Sequence, residues 1–269
     1  MTSMHIKNFN KNHFYRFFLK IPLGIFFISY VRFLYFVYVK RNLKTLYSKE
    51  NIPDKMAQNK SSGETGQSYN MWYATKHFSL KDYFTNIRKF TGNRLKTHIY
   101  PLKALDYLRF SKMKVLSVGP RNESEIFQLV SAGFKLENIK SIDLHTYSKL
   151  ITLGDMAKIP FDNDEFDLTI VGWVLRYTNE HEKSINEVIR VTKNNGIISI
   201  CNSTGRKYVK IFSEDYIDSS EAILHSSSKL LSLFKDSIGE VIFKYHPNDE
   251  VNKHILHSKH SNYLIKIKK

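Results

Sequence analysis

Apolar and polar positions divide the 269-residue chain into stretches with different periods. Ile21 to Val39 reads IPLGIFFISYVRFLYFVYV, an apolar run broken only by the charge of Arg32. As a helix, a run of this length would match a bilayer core. Arg32 sits two-thirds of the way along, where its long stem can reach the nearer interface. Tyr35, Tyr38, Lys40 and Arg41 resemble an interfacial anchor. Three expectations stand side by side for this run: a membrane span, a helix lying in the interface, and an apolar helix packed on a folded domain. No small-residue cleavage site follows it, which argues against a cleaved leader.

Residues 48–70 carry almost no large apolar side chains and read as a linker. Helical spacing returns over residues 71–110. Ser79 and Asp82 mark one helix start, followed by Phe84, Ile87 and Phe90. Pro101 is expected to open a second helix, with Leu102, Leu105 and Leu108 on one face. From Lys114 onward short apolar runs alternate with helical patterns. Strands are expected at Lys114–Val118, Ile139–Leu144, near Leu150–Leu153, at Asp167–Trp173, Gly196–Cys201, Glu240–Tyr245 and Asn262–Ile267. Between them lie a helix over Glu123–Ala132 and one reaching Val191, the latter with an Asn179/Glu182 capping box. Asn194–Asn195–Gly196 is expected to be the turn that ends it. Such alternation predicts an α/β fold, a Rossmann-like doubly wound sheet of seven mostly parallel strands with helices on both faces.

Charge changes the picture of the N-terminal part. Residues 1–110 hold 19 Lys+Arg against 5 Asp+Glu, whereas residues 111–269 hold 22 against 20. The basic part suits anionic lipid or nucleic acid, and the nearly neutral remainder is no strong phosphate binder by charge. The single cysteine, Cys201, excludes an internal disulfide and a cysteine-built zinc site. The expected organisation is a basic, apolar membrane-associating helix over 1–47, a linker over 48–70, flanking helices over 71–110 and a catalytic-type domain over 111–269.

In a doubly wound sheet, ligands bind at the carboxyl ends of the strands, near the point where strand order reverses. There the first strand runs into Gly119–Pro120–Arg121–Asn122–Glu123, with Gly119 suited to a tight bend. The following helix offers backbone N–H groups to an anion. Asp143, with Leu144 beside it, ends the second strand, where a carboxylate can accept ribose hydroxyls. Asp155 and Met156 follow the third, and Val171–Gly172–Trp173 ends the fourth. Each feature alone also has a structural reading: turn glycine, surface cap, turn pair, core tryptophan.

The order Gly119, Asp143, Gly154–Asp155, Ile159–Pro160–Phe161, Phe166–Asp167 and a capped helix resembles the core of the class I S-adenosylmethionine-dependent methyltransferases over Lys114–Ser203. The branch that acts on small or lipid-like molecules is the nearest in pattern. The resemblance implies S-adenosylmethionine as cofactor, with roles for Gly119, Asp143, Asp155 and Met156, and a last strand running antiparallel. One motif departs from the family. Its first loop carries an acid and three glycines, and here Ser117, Arg121 and Glu123 replace all but Gly119. Arg121 is then expected either to pair with the cofactor carboxylate, with Glu123 near its amino group, or to pair with Glu123 or solvent.

A hydroxyl acceptor would need a base, for which His145, Tyr147, Tyr177 and His181 are candidates. No metal-ligand spacing occurs, and His246, His254, His257 and His260 are expected on a polar connection. Nucleic-acid methylation is disfavoured, because Gly-Trp-Val-Leu stands where an Asn/Asp-Pro-Pro-Tyr/Phe segment would grip a flipped base. The expected activity is methyl transfer to a small-molecule or lipid- or glycan-linked acceptor, on the cytoplasmic side and held at a membrane by residues 1–45. A tethered, non-catalytic module of the same fold is the rival. A dinucleotide oxidoreductase would need the glycines that are missing.

Overall fold

The computed structural model describes residues 21–46, 93–120, 122–175, 178, 180–203, 227–246 and 260–269. Helix α1 spans Pro22–Leu34, with proline in its first turn where no N–H is needed, and runs into a π-helical turn over Tyr35–Val39. Strand β1 (Lys44–Thr45) follows. Helix α2 spans Asn93–Lys103 and β2 spans Val115–Val118. Helix α3 (Glu123–Ala132) starts at Asn122, whose Oδ1 accepts the Ser124 N–H at 2.9 Å, and stops at Gly133, where φ is 121°. Next come β3 (Ile139–Asp143), β4 (His145–Thr146), β5 (Thr152–Leu153) and β6 (Phe166–Gly172). Helix α4 (His181–Val191) leads into β7 (Thr192–Ser203), followed by α5 (Ser227–Ser232), β8 (Ile238–Tyr245) and β9 (His260–Ile267).

Seven strands form one sheet in the order β5-β3-β2-β6-β7-β9-β8. The pairs from β5 to β7 are parallel, and β9 runs antiparallel to both its neighbours. Strand order reverses between β2 and β6, as the alternation predicts. One face packs Ile185 and Val188 of α4 and Leu230 of α5 against Val171, Ile198 and Ile265. The other packs Leu95, Ile99 and Leu102 of α2 and Ile126 and Leu129 of α3 against Val115, Ile170 and Leu264. Burial on both faces is why β6 is apolar almost throughout.

Three local expectations are corrected. Pro101 lies inside the last turn of α2 instead of opening a helix. Lacking an N–H, it leaves the Thr97 carbonyl without its helical donor, and Asn262 Nδ2 of β9 donates to that oxygen at 2.5 Å. Helix α4 begins after Glu180, which makes no side-chain cap, and Glu182 pairs with Lys235; Asn179 lies outside the described residues. Asn194–Gly196 belongs to β7, with Asn195 at φ 62° and a register shift against β6. The expected helix over Ser79–Phe90, the linker and residues 1–20 lie outside the described residues.

The inner face of the apolar N-terminal run packs on the folded domain. Among the described residues, no helix is long and apolar enough to cross a membrane. Phe26, Tyr30 and Phe33 of α1 pack around Tyr147, and Ile25 packs on Phe127 of α3. Arg32 does not reach for an interface. Its Nε and Nη2 donate to Glu123 Oε2 and Oε1 at 2.5 and 2.8 Å. Strand β1 then pairs antiparallel with β4, and Leu46 N–H donates to the Leu144 carbonyl at 2.9 Å. Residues 21–46 therefore close over one end of the sheet.

Candidate active site

Four strand tips stand side by side at the carboxyl edge. Val118 pairs with Ile142 on one side and Val171 on the other, which places Gly119 between Asp143 and Gly172. Asp143 pairs with Leu153, so Asp155 emerges two residues past that pair. Gly119 has φ 71°, a conformation glycine adopts at no steric cost, and its N–H donates to the Ile142 carbonyl at 2.9 Å. A Cβ there would meet Val174 Cγ1 at 1.9 Å, so the bend also needs glycine for close approach. Asp143 Oδ1 accepts the His145 N–H at 3.2 Å, and Asp155 Oδ1 accepts the Ala157 N–H at 2.8 Å. Both aspartates are half-buried, and the Met156 side chain is buried in the core.

The Ile159–Pro160–Phe161 segment has a physical role here. Arg190 of α4 donates to the Ile159 and Phe161 carbonyls, each at 2.9 Å, and to Asn163 Oδ1 at 2.8 Å. Glu187 Oε2 accepts the Ile159 N–H at 2.8 Å and also binds Arg190. The pair pins the connection that carries Asp155. Hydrogen bonding to Arg190 holds the Glu187 carboxyl below the usual range, against the opposing effect of burial.

Glu123 is fully buried and committed elsewhere. Besides Arg32, its Oε1 accepts from the Ser148 hydroxyl. Its N–H donates to the Tyr147 hydroxyl at 3.0 Å. With the Ser124 N–H on Asn122, two of the first-turn donors of α3 are taken by the protein itself. Burial, with the Glu123 charge, pushes the Tyr147 hydroxyl well above the usual phenol range. Tyr147 is thus held protonated and is no base. Burial lowers His145 despite the neighbouring Asp143 charge, which leaves its ring neutral at pH 7. His181 is buried at the start of α4, on the wall of an open groove of about 620 Å³ shared with Ala157 and Lys158. Arg121 and Tyr177 lie outside the described residues.

Sequence reasoning misses a second cluster at the β6–β7 end of the edge. Trp173 has φ 59°, an uncommon conformation for a bulky residue. Its ring meets His98 of α2 and His260 of β9 edge-on, at 5.6 and 5.5 Å, and its Nε1–H donates to His260 Nδ1 at 3.3 Å. Because an indole N–H only donates, that His260 nitrogen is the acceptor. His98 Nδ1 lies 2.7 Å from Ser199 Oγ and 3.6 Å from Cys201 Sγ. Nothing in the spacing of His98 signals this, since α2 reaches β7 only through the fold. His246 follows β8 but is buried near the Tyr263 ring, and His260 is exposed as the first residue of β9; His254 and His257 lie outside the described residues.

A family described as "hypothetical methyltransferase" matches residues 75–221, more than half of the chain. This chain belongs to that family. Its sheet order and antiparallel β9 agree with the class I fold expected from the sequence. Demethylmenaquinone methyltransferase of Streptomyces avermitilis is 37% identical over 51 residues, 19% of this chain and 22% of that protein. Its namesake from Staphylococcus saprophyticus is 30% identical over 77 residues, 29% of this chain and 32% of that protein. The chain thus spans a third or less of the length of these curated relatives. A SAM dependent methyltransferase from Aquifex aeolicus superposes with TM-score 0.43 and 18% identity, over 68% of this chain and 97% of the other. At that TM-score the likeness has no bearing on what this methyltransferase-family chain does. Gly119, Asp143 and Asp155 stand in one row at the strand tips, with two carboxylates able to accept hydroxyl or amino hydrogens and the Val174 side chain packed against the Gly119 bend.

Proposed function

We propose that this chain transfers a methyl group from S-adenosylmethionine to a small-molecule acceptor by in-line displacement at carbon. The observation that carries the reading is the row of adjacent strand tips, with Gly172, Gly119 and Asp143 in register and Asp155 just beyond Leu153. In this reading Asp143 accepts from the ribose hydroxyls, Asp155 accepts from the adenine amino group, and the Met156 backbone meets the base. Gly119 supplies the positive-φ bend that brings the first strand tip alongside them. When bound, S-adenosylmethionine supplies an electrophilic methyl group on a sulfonium. The chain's own contribution is to bind and orient. Arg190 and Glu187 hold the Asp155 turn, and Arg32 keeps Glu123 out of the set of cofactor contacts.

The names of the matched relatives support a quinone-like ring as acceptor. Calorimetry with S-adenosylhomocysteine tests the cofactor half. Binding by the full chain is expected, weakened roughly tenfold or more by Asp143→Asn or by Asp155→Asn. Transfer of a labelled methyl group to a demethylated naphthoquinol tests the acceptor half. A second reading, a non-catalytic module, is favoured by the occupied first-turn donors of α3. It predicts no binding heat at high protein concentration, an outcome that would also end the first reading.

A further inference from the structure

Helix α1 is apolar on both sides, and only one side has a partner within the described residues. Ile25, Phe26, Tyr30 and Phe33 are buried against the sheet unit. Leu23, Phe27, Val31 and Tyr35, each four residues after the last, form a row on the opposite face. Phe27 and Val31 are 53% and 47% exposed, and Tyr38 and Val39 continue the row at 58% and 68%. A contiguous bare patch of this kind marks an interaction site.

We propose that this face seats the protein on an anionic lipid surface, with the axis of α1 lying in the plane of the membrane. Charge selects the occupant. Residues 1–49 contain no Asp or Glu, and residues 1–46 contain eight Lys and Arg. Arg32 turns inward to Glu123, whereas Lys40, Arg41 and Lys44 are exposed just past the π-helical turn. Lys40 Nζ lies 5.6 Å from the centroid of the Tyr35 ring, which puts an ammonium beside an amphipathic aromatic side chain. Apolar side chains enter the acyl boundary and the cations meet anionic headgroups. A nucleic acid would use the cations and leave Leu23, Phe27 and Val31 without a partner. Crossing the membrane is excluded for α1 by its 13 residues and by the ties of its inner face. The lipid-bound row would lie about one helix diameter, roughly 10 Å, from the Arg32–Glu123 pair on the inner face. The proposal does not depend on methyl transfer, since lipid binding is read without cofactor.

Flotation of the full chain with vesicles is the test. Vesicles of equal parts phosphatidylcholine and phosphatidylglycerol are compared with vesicles of phosphatidylcholine alone. The chain is expected to float with the anionic vesicles and much less with the neutral ones. Phe27→Glu combined with Val31→Glu should weaken that binding more than roughly tenfold, with cooperative urea unfolding retained because both positions are about half exposed. Absence of flotation by the unsubstituted chain overturns the proposal, as does undiminished flotation of the double variant. Light scattering that shows a dimer, made monomeric by the same substitutions, would assign the face to a second copy. Phe27→Cys gives a maleimide site, selective because Cys201 is buried. Slow labelling of it without lipid would mean that other residues of this chain cover the row, and fast labelling slowed by anionic vesicles supports the lipid assignment.

Discussion

Helix α1 and strand β6 are both apolar along most of their length, yet they meet different surroundings. Phe166, Leu168, Thr169, Ile170 and Val171 of β6 are all 1% exposed or less, because β6 lies in the middle of a parallel sheet with helices on each face. Among the described residues, helix α1 is covered on one side only, at the edge where β3, β4 and β5 end. Apolarity alone does not state which element is enclosed twice and which once. Position in the sheet decides it, and the half-covered element is the one with surface left for a partner.

Removing the charge that ties α1 down should have the largest effect. Arg32→Ala leaves the fully buried Glu123 carboxylate without its counter-ion and should cost about 3–5 kcal/mol in urea denaturation. Adding Glu123→Gln should recover much of that loss, and if it does not, the pair is not what joins α1 to α3. Leu168→Ala, in the doubly covered strand, should cost about 3 kcal/mol by the same measurement. Tyr147→Phe removes the acceptor of the Glu123 N–H and should cost about 1 kcal/mol. Acid should act on the Asp155 side. The Glu187 carboxyl is lowered in the folded chain, so its stabilisation is present above the unfolded glutamate value and is lost as pH falls through the lowered folded value. S-adenosylhomocysteine affinity should fall over that acidic window, and Glu187→Gln should reduce the Glu187 part of that fall in calorimetry against pH. At the bare face, Phe27→Ser should change stability by less than about 0.5 kcal/mol, and a larger loss would show that the face is covered.

Much of the sheet is legible in the sequence. Strands β2, β3 and β6 lie within a residue or so of where the apolar runs place them, and α3 begins and ends at its expected residues. The period of side-chain burial carries that information locally. The row Gly119, Asp143, Asp155 is legible for the same reason, since each residue ends a recognisable strand. What stays hidden depends on distant pairs. Arg32 meets Glu123 across 91 positions, and His98 meets Cys201 across 103. The Thr97 carbonyl, freed by Pro101, is filled by Asn262, 165 positions away. No local pattern marks such partners, so neither the mid-run arginine nor the motif glutamate announces the other.

The order of apolar strands and amphipathic helices, set by residues close along the chain, determined a doubly wound α/β sheet and the strand tips where its carboxylates stand. Only the tertiary structure decided that α1 packs on that sheet, that Glu123 answers to Arg32, and that Trp173 stands between two histidines. The physical reason is that periodicity is a property of neighbours, whereas the partner of a buried charge is chosen by whichever group the finished fold brings within hydrogen-bonding distance.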